Sequence, residues 1–246
     1  MPNPERVLVF APMPSEMRPL VKLLGLERTG MQGGSRVYTG RCGDAEVVLT
    51  GTGVGPELAH AAAERMLEGS AFDRVIVCGI AGGLAPASLV GELVVPEEVY
   101  DGATGERFRS TPVHGVTPKG VIRMGDGDDY EFNDAAVARL VAEGVTALDM
   151  ETAAIARVCG QHDLPWIAFR VISDMAGDSS LGADVLDLVD EFGTPKAWPS
   201  IKYLLTHPKQ IPLMLRVGRD ASAAARAAAK ATIAAIGSGS GANSTK

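Results

Sequence analysis

Short apolar runs that do not alternate constrain this chain most: Val7-Leu8-Val9-Phe10, Val47-Val48-Leu49, Val75-Ile76-Val77-Cys78, Leu93-Val94-Val95 and Trp166-Ile167-Ala168-Phe169. Continuous hydrophobicity over so few residues marks strands covered on both faces, which requires helices on both sides of one sheet. Helical spacing appears between the runs. Met17, Leu20, Val21 and Leu24 form one stripe, and Leu58, Ala61, Ala62, Arg65 and Met66 follow Pro56, a residue suited to a first helical turn. A third helix is predicted from about Glu151 through Ile155 and Val158 to Gln161-His162, ending before Pro165. Strand alternating with helix is the pattern of an α/β fold.

A chain of 246 residues with 46% hydrophobic content can bury one large core, so a single domain over residues 1–236 is expected. After the polar stretch 176–195 come Trp198, Ile201, Tyr203, Leu204 and Leu205, then Pro208 and Pro212, then an Ala-rich helix from Asp220 to about Ile236. These read as helical segments packed on the sheet. Residues 237–246, "GSGSGANSTK", have linker composition and are expected to be a disordered tail. No internal repeat is visible.

Lys and Arg number 23 against 30 Asp and Glu, and the net charge of −7 is spread along the chain. No basic footprint for nucleic acid is formed, and a small-molecule partner is expected. The N-terminus has no basic region leading into an apolar stretch, and no apolar run approaches the about 18 residues of a membrane span. A cytoplasmic location is therefore expected. Cys42, Cys78 and Cys159 are scattered without a CxxC pair and read as small buried hydrophobes rather than a disulfide or zinc framework.

Familiar motifs fail in turn. "GTGVGP" at 51–56 follows a strand and opens a helix, but a dinucleotide fingerprint needs glycine where Pro56 stands. P-loop, GxSxG and HExxH patterns are missing, and the four histidines, at 60, 114, 162 and 207, are far apart. No metal or cofactor is expected. What remains are the residues after each apolar run, because open α/β sheets bind ligands at the carboxyl ends of their strands.

Each of these stretches has a plain reading beside a functional one. Glu16, in "APMPSEMRPL", could complement a helix dipole for about 0.3–1 kcal/mol. The loops "GTGVG" and "CGIAGGL" could be tight connections or places where a ligand approaches backbone. In Asp149-Met150-Glu151, Glu151 could be a first-turn acid and Met150 core filler. In "RVISDMAGD", Arg170 and Asp174 could simply pair with each other.

Taken in order, "FAPMPSE", "GTGVG", "GIAGGL…GELVVP", "LDMETAAIA" and "RVISD" resemble the nucleoside phosphorylase superfamily, most closely its methylthioadenosine/adenosylhomocysteine nucleosidase branch, over roughly residues 6–175. The resemblance implies a three-layer α/β/α sandwich around a twisted mixed β-sheet, with active sites near the interface of a homodimer or larger homo-oligomer. It implies cleavage of the N-glycosidic bond of a purine, specifically adenine, nucleoside such as methylthioadenosine or adenosylhomocysteine, as in methionine salvage. Glu16 matches the acid that orients and deprotonates the attacking water. Met150 and Glu151 match the pair that holds the ribose, and Asp174 matches the general acid that protonates the base at N7. Gly53, Ile80, Ala81, Gly82 and Arg170 fall on the matching substrate-binding loops. Asp149 reads as a structural strand-end acid. The residue types suit the chemistry, because an oxocarbenium-like state needs negative charge near the sugar and a proton for the departing base. Asp174 then has to hold its proton near neutral pH through burial or neighbouring acids.

Three departures leave alternatives open. Ile80 stands where the nucleosidases carry a serine that bonds the catalytic acid, so Asp174 needs another orienting partner. In "GDGDDYEFN" the aromatic residue expected to stack on the base has no clear counterpart; Asp128 and Asp129 occupy the spacing, with Tyr130 and Phe132 nearby. The tail is similar to that of hopanoid-biosynthesis-associated phosphorylases, which act on a nucleoside-linked lipid, and reads equally as a packing element. Val77 and Cys78 lie where hexameric phosphorylases place a phosphate-binding arginine, which favours water as co-substrate. Arg18, close to Glu16 in sequence, keeps phosphate as the alternative. A catalytically silent nucleoside-binding protein is the third reading.

Overall fold

A computed structural model describes residues 3–84, 86–125, 134–176 and 211–239. The residues from 126 to 133, with Asp128, Asp129, Tyr130 and Phe132, and the tail segment 177–210 lie outside the described residues.

Among the described residues the sheet has eleven strands. They are β1 (Arg6–Phe10), β2 (Glu27–Gln32), β3 (Ser35–Cys42), β4 (Ala45–Thr50), β5 (Arg74–Gly83), β6 (Leu93–Val94), β7 (Glu98–Asp101), β8 (Arg107–Arg109), β9 (Val121–Met124), β10 (Val145–Asp149) and β11 (Trp166–Met175). The helices are α1 (Pro14–Leu24), α2 (Pro56–Leu67), α3 (Asp134–Ala142), α4 (Thr152–Gln161) and α5 (Ile211–Gly239).

Strand order is β2-β3-β4-β1-β5-β10-β9-β7-β8, with β11 paired to β5 and β6. Pairing is mixed: β1 runs parallel to β4 and β5, β11 parallel to β5, and β10 antiparallel to β5. Because β11 follows β5 from Val75 to Gly83 along one edge, β1 and β10 share the other, β1 at Arg74–Val77 and β10 at Gly82–Gly83. The ends of β1, β5, β10 and β11 therefore converge on one place.

Three of the five continuous runs, Val7–Phe10, Val75–Cys78 and Trp166–Phe169, are buried on both faces, whereas Val48 of β4 is half-buried and Leu93 of the two-residue β6 is exposed, because those strands lie nearer the rim of the sheet. One core layer joins Leu8, Val75, Val77 and Ala168 to Ala59, Ala63, Ile155 and Val158 of α2 and α4. The opposite layer joins Val7, Val9, Ile76, Cys78 and Phe169 to Leu20 of α1 and to Ala224, Ala228 and Ile236 of α5. The three cysteines are buried, and burial pushes the Cys78 and Cys159 thiols up to about 12.

Two expectations change. The Ala-rich helix begins at Ile211 rather than Asp220, with Pro212 tolerated in its first turn. It also continues through Gly237, Ser238 and Gly239, which were expected to be disordered. Ser238 Oγ donates to Ala235 O at 3.1 Å and to His114 O at 3.2 Å, which ties the last turn to the loop before β9.

Candidate active site

Glu16 is buried at the start of α1, 1% exposed. Its Oε2 accepts the Met13 amide at 2.7 Å, a capping bond that accompanies the helix-dipole placement considered from sequence. Its other oxygen leaves the helix: Oε1 accepts the Ile80 amide at 2.8 Å and lies 3.9 Å from Arg170 Nη1. Burial raises the Glu16 pKa above 4.5, against the opposing pull of Arg170 and of the Ile80 and Met13 amides.

Glycine at 79 makes this meeting possible. A Cβ there would collide with Glu16 Oε1 and lie 2.6 Å from Arg170 Nη1. Gly79 and Arg170 are register partners on β5 and β11, so both project on the same face of the sheet.

Arg170 is fully buried, 0% exposed. Its Nη2 lies 2.8 Å from Asp149 Oδ2 and donates to Glu151 Oε2 at 3.1 Å, while Nη1 donates to Ile80 O at 3.3 Å. Burial alone would pull the guanidinium pKa down, but Asp149, Glu151 and Glu16 push it up, so it stays charged. Glu151, the N-cap residue of α4, also accepts the Gly55 amide at 3.2 Å through Oε1. Burial lifts its carboxyl to about 7, opposed by Arg170 and assisted by Asp149 and Glu16. One cation thus serves three buried carboxylates, and the cluster holds excess negative charge whenever they are ionised.

Asp174 lies apart from this ion cluster. The register of β11 on β5 shifts between Ile172 and Asp174, so Ser173 is the extra residue of a bulge and Asp174 aligns with Gly82. Unbroken alternation would have put Asp174 on the same face as Arg170; the bulge turns it to the other. The pairing of Arg170 with Asp174 entertained from sequence is therefore replaced by Arg170 with Asp149, Glu151 and Glu16. Asp174 is exposed, not buried as a proton-holding role led us to expect. Ser173 Oγ donates to Asp174 Oδ1, supplying the orienting partner that Ile80 cannot.

A family model described as the phosphorylase superfamily matches residues 6–142 and 103–195, together more than half of the chain. This chain belongs to the phosphorylase superfamily. Among superfamily relatives, the 5'-methylthioadenosine/S-adenosylhomocysteine nucleosidase of Bacillus thuringiensis (strain Al Hakam) is 29% identical over 203 residues, covering 71% of this chain and 88% of the relative. The Neisseria meningitidis nucleosidase of the same name, solved with methylthio-immucillin-A, superposes with a TM-score of 0.71 at 23% identity, covering 95% of this chain and 99% of the other. The Helicobacter pylori futalosine hydrolase gives 0.69 at 18% identity, covering 94% and 97%. These structures share the mixed-sheet α/β fold.

The other candidate residues are spread over neighbouring loops, strand ends and α1. Gly53, at φ +83°, donates its amide to Pro12 O at 3.1 Å, joining the loop after β4 to the loop before α1. Ala81 is buried beside Ile172, and Gly82 lies 4.0 Å from Asp174 Oδ2, measured from the Cβ a side chain would add. Met150 is half-buried between β10 and α4. Arg18 is exposed and does not share the buried side of α1 with Glu16. Sequence reasoning passed over Gly55, Gly79, Thr152 and Ser173, although Thr152 and Ser173 adjoin the two motif acids. A cavity of about 320 Å³ opens beside the Gly55-Pro56 turn, lined by His60, Asp101, Met124 and Arg157 among others. The larger cavity, about 600 Å³ between β6 and α5, contains none of the candidate residues. Among the described residues, no group of three or more His, Cys, Asp or Glu could hold a metal ion, and no helix is long and apolar enough to cross a membrane.

Proposed function

We propose that this protein hydrolyses the N-glycosidic bond of an adenine nucleoside such as methylthioadenosine or adenosylhomocysteine. The observation that carries the reading is the pair of buried carboxylates, Glu16 and Glu151, held on one guanidinium at the convergent strand ends. As the C1–N9 bond of the nucleoside breaks, positive charge gathers on the ribose and negative charge on the base. Glu151 accepts hydrogen bonds from the sugar hydroxyls, with Met150 packed against the sugar. Glu16 accepts a proton from water as its oxygen bonds to C1, and the burial that raises its pKa makes it a stronger base than an exposed carboxylate. Asp174, whose Oδ1 accepts from Ser173 Oγ, protonates N7 of the leaving adenine once the bound nucleoside covers its exposed carboxyl.

Charge favours water over phosphate. A phosphate dianion entering beside Glu16 would meet a guanidinium already shared by three carboxylates, and the neighbouring Arg18 is exposed. The same reading extends to methionine salvage in the cytoplasm and to a homo-oligomer, because exposed Asp174 leaves the base side of the site open in one protomer. The test is to incubate the purified protein with methylthioadenosine, adenosylhomocysteine, adenosine and inosine, with and without phosphate, and to measure free base. Release from the adenine nucleosides without phosphate supports the reading; release only with phosphate, or binding without release, refutes it.

A further inference from the structure

Thr152 sits at the first turn of α4 with its side chain 0% exposed, next to the residue read as the ribose ligand. Its hydroxyl oxygen accepts from Arg170 Nε at 3.3 Å and from Nη2 at 3.0 Å. The same hydroxyl donates its proton to Asp149 Oδ2, and the Thr152 amide donates to Asp149 Oδ1 at 3.3 Å. One uncharged oxygen thus bridges the guanidinium and the carboxylate that face each other at 2.8 Å.

We propose that Thr152 is a positioning residue: its hydroxyl fixes the Nε–Nη2 edge of Arg170 and thereby places Glu151 to receive the ribose. This rests on the reading of Glu151 as the sugar ligand. The argument is one of satisfied bonds. Nη2 is shared among Thr152, Glu151 and Asp149, and Nε donates to Thr152. Without the hydroxyl, a buried donor on a charged group is left unmet, and the guanidinium is free to turn toward the stronger acceptors. Asp149 loses the Thr152 hydroxyl as a donor and competes more strongly for Nη2. Glu151 is the partner that loses, because its hold on Arg170 is a single bond at 3.1 Å. A threonine methyl would pack as well if the role were only steric, so valine and serine separate the two explanations.

Three proteins decide it: wild type, Thr152→Val, which keeps the shape, and Thr152→Ser, which keeps the hydroxyl. Thr152→Val is expected to lower kcat/KM about 10- to 100-fold, chiefly through KM. The acid limb of its pH profile should move to higher pH as Arg170 relaxes its hold on Glu151. Thr152→Ser should keep turnover within about 3-fold of wild type. Equal kinetics and an unmoved limb in Thr152→Val, or equal loss in Thr152→Ser, overturn the assignment. A crystal structure of Thr152→Val is a readout independent of turnover. Arg170 displaced from Glu151 supports the assignment, and Arg170 still bonded to both Glu151 and Asp149 overturns it. Absence of base release by the wild type would refute the functional reading while leaving that structural comparison decisive for Thr152.

Discussion

Arg170 and Asp149 face each other at 2.8 Å in the interior, each side chain 1% exposed. Arg170 lies midway along β11, and Asp149 is the last residue of β10, so the pair clamps together two strands that share only β5 as a neighbour among the described residues. Around this clamp the other acids are arranged, and its energetics follow from burial. Arg170→Met leaves Glu16, Asp149 and Glu151 without their shared cation, which is expected to cost about 3–5 kcal/mol in urea unfolding. Adding Asp149→Asn should recover part of the loss. A single-variant cost under about 1 kcal/mol would contradict the clamp.

Gly79 is as strict a requirement as any acid. A methyl group there would occupy the space where Glu16 Oε1 and Arg170 Nη1 meet. Gly79→Ala is expected to reduce kcat/KM about 100-fold, since displacing a reacting group by about 1 Å costs that much. Full activity in that variant would mean that Glu16 and Arg170 need not meet.

Glu151 gives the folded protein a pH response of definite sign. Its folded pKa of about 7 exceeds the ordinary 4.5, so the folded chain holds this proton more tightly than the unfolded one. The stabilisation is fully present below about pH 4.5 and is lost as pH rises from there to about 7. Melting temperatures recorded across that range should fall more steeply for wild type than for Glu151→Gln. Glu16 shifts in the same direction, so part of the slope stays in the variant. Identical pH responses would contradict the burial of an ionisable Glu151.

Asp174 should behave oppositely to Arg170. It is exposed, so Asp174→Asn is expected to change stability by less than about 0.5 kcal/mol. Its loss as proton donor should lower kcat by about 100- to 10,000-fold. An undiminished rate would end its assignment as the general acid.

Much of the frame was legible because its strands are buried on both faces. Val7–Phe10 and Trp166–Phe169 announce themselves by unbroken hydrophobicity. The strands β2 and β3 do not: "ERTGMQ" is a mostly exposed edge strand and "SRVYTGRC" a mostly half-buried one beside it, with no apolar run to find. The short β7 and β8 escape for lack of length. At the site, the acids were visible as motif residues, but their partners were not. Arg170 and Asp174 lie four positions apart on one strand, and only the bulge at Ser173 separates their faces. The bonds of Thr152 and the empty space at Gly79 arise from tertiary contacts that local patterns do not encode.

The most direct measurement is the identity of the sugar product when methylthioadenosine is incubated with the protein in the presence of ample phosphate, read by mass spectrometry. The expected products are adenine and free methylthioribose, in amounts that do not depend on phosphate. Formation of a sugar 1-phosphate, or no adenine at all, would contradict the account.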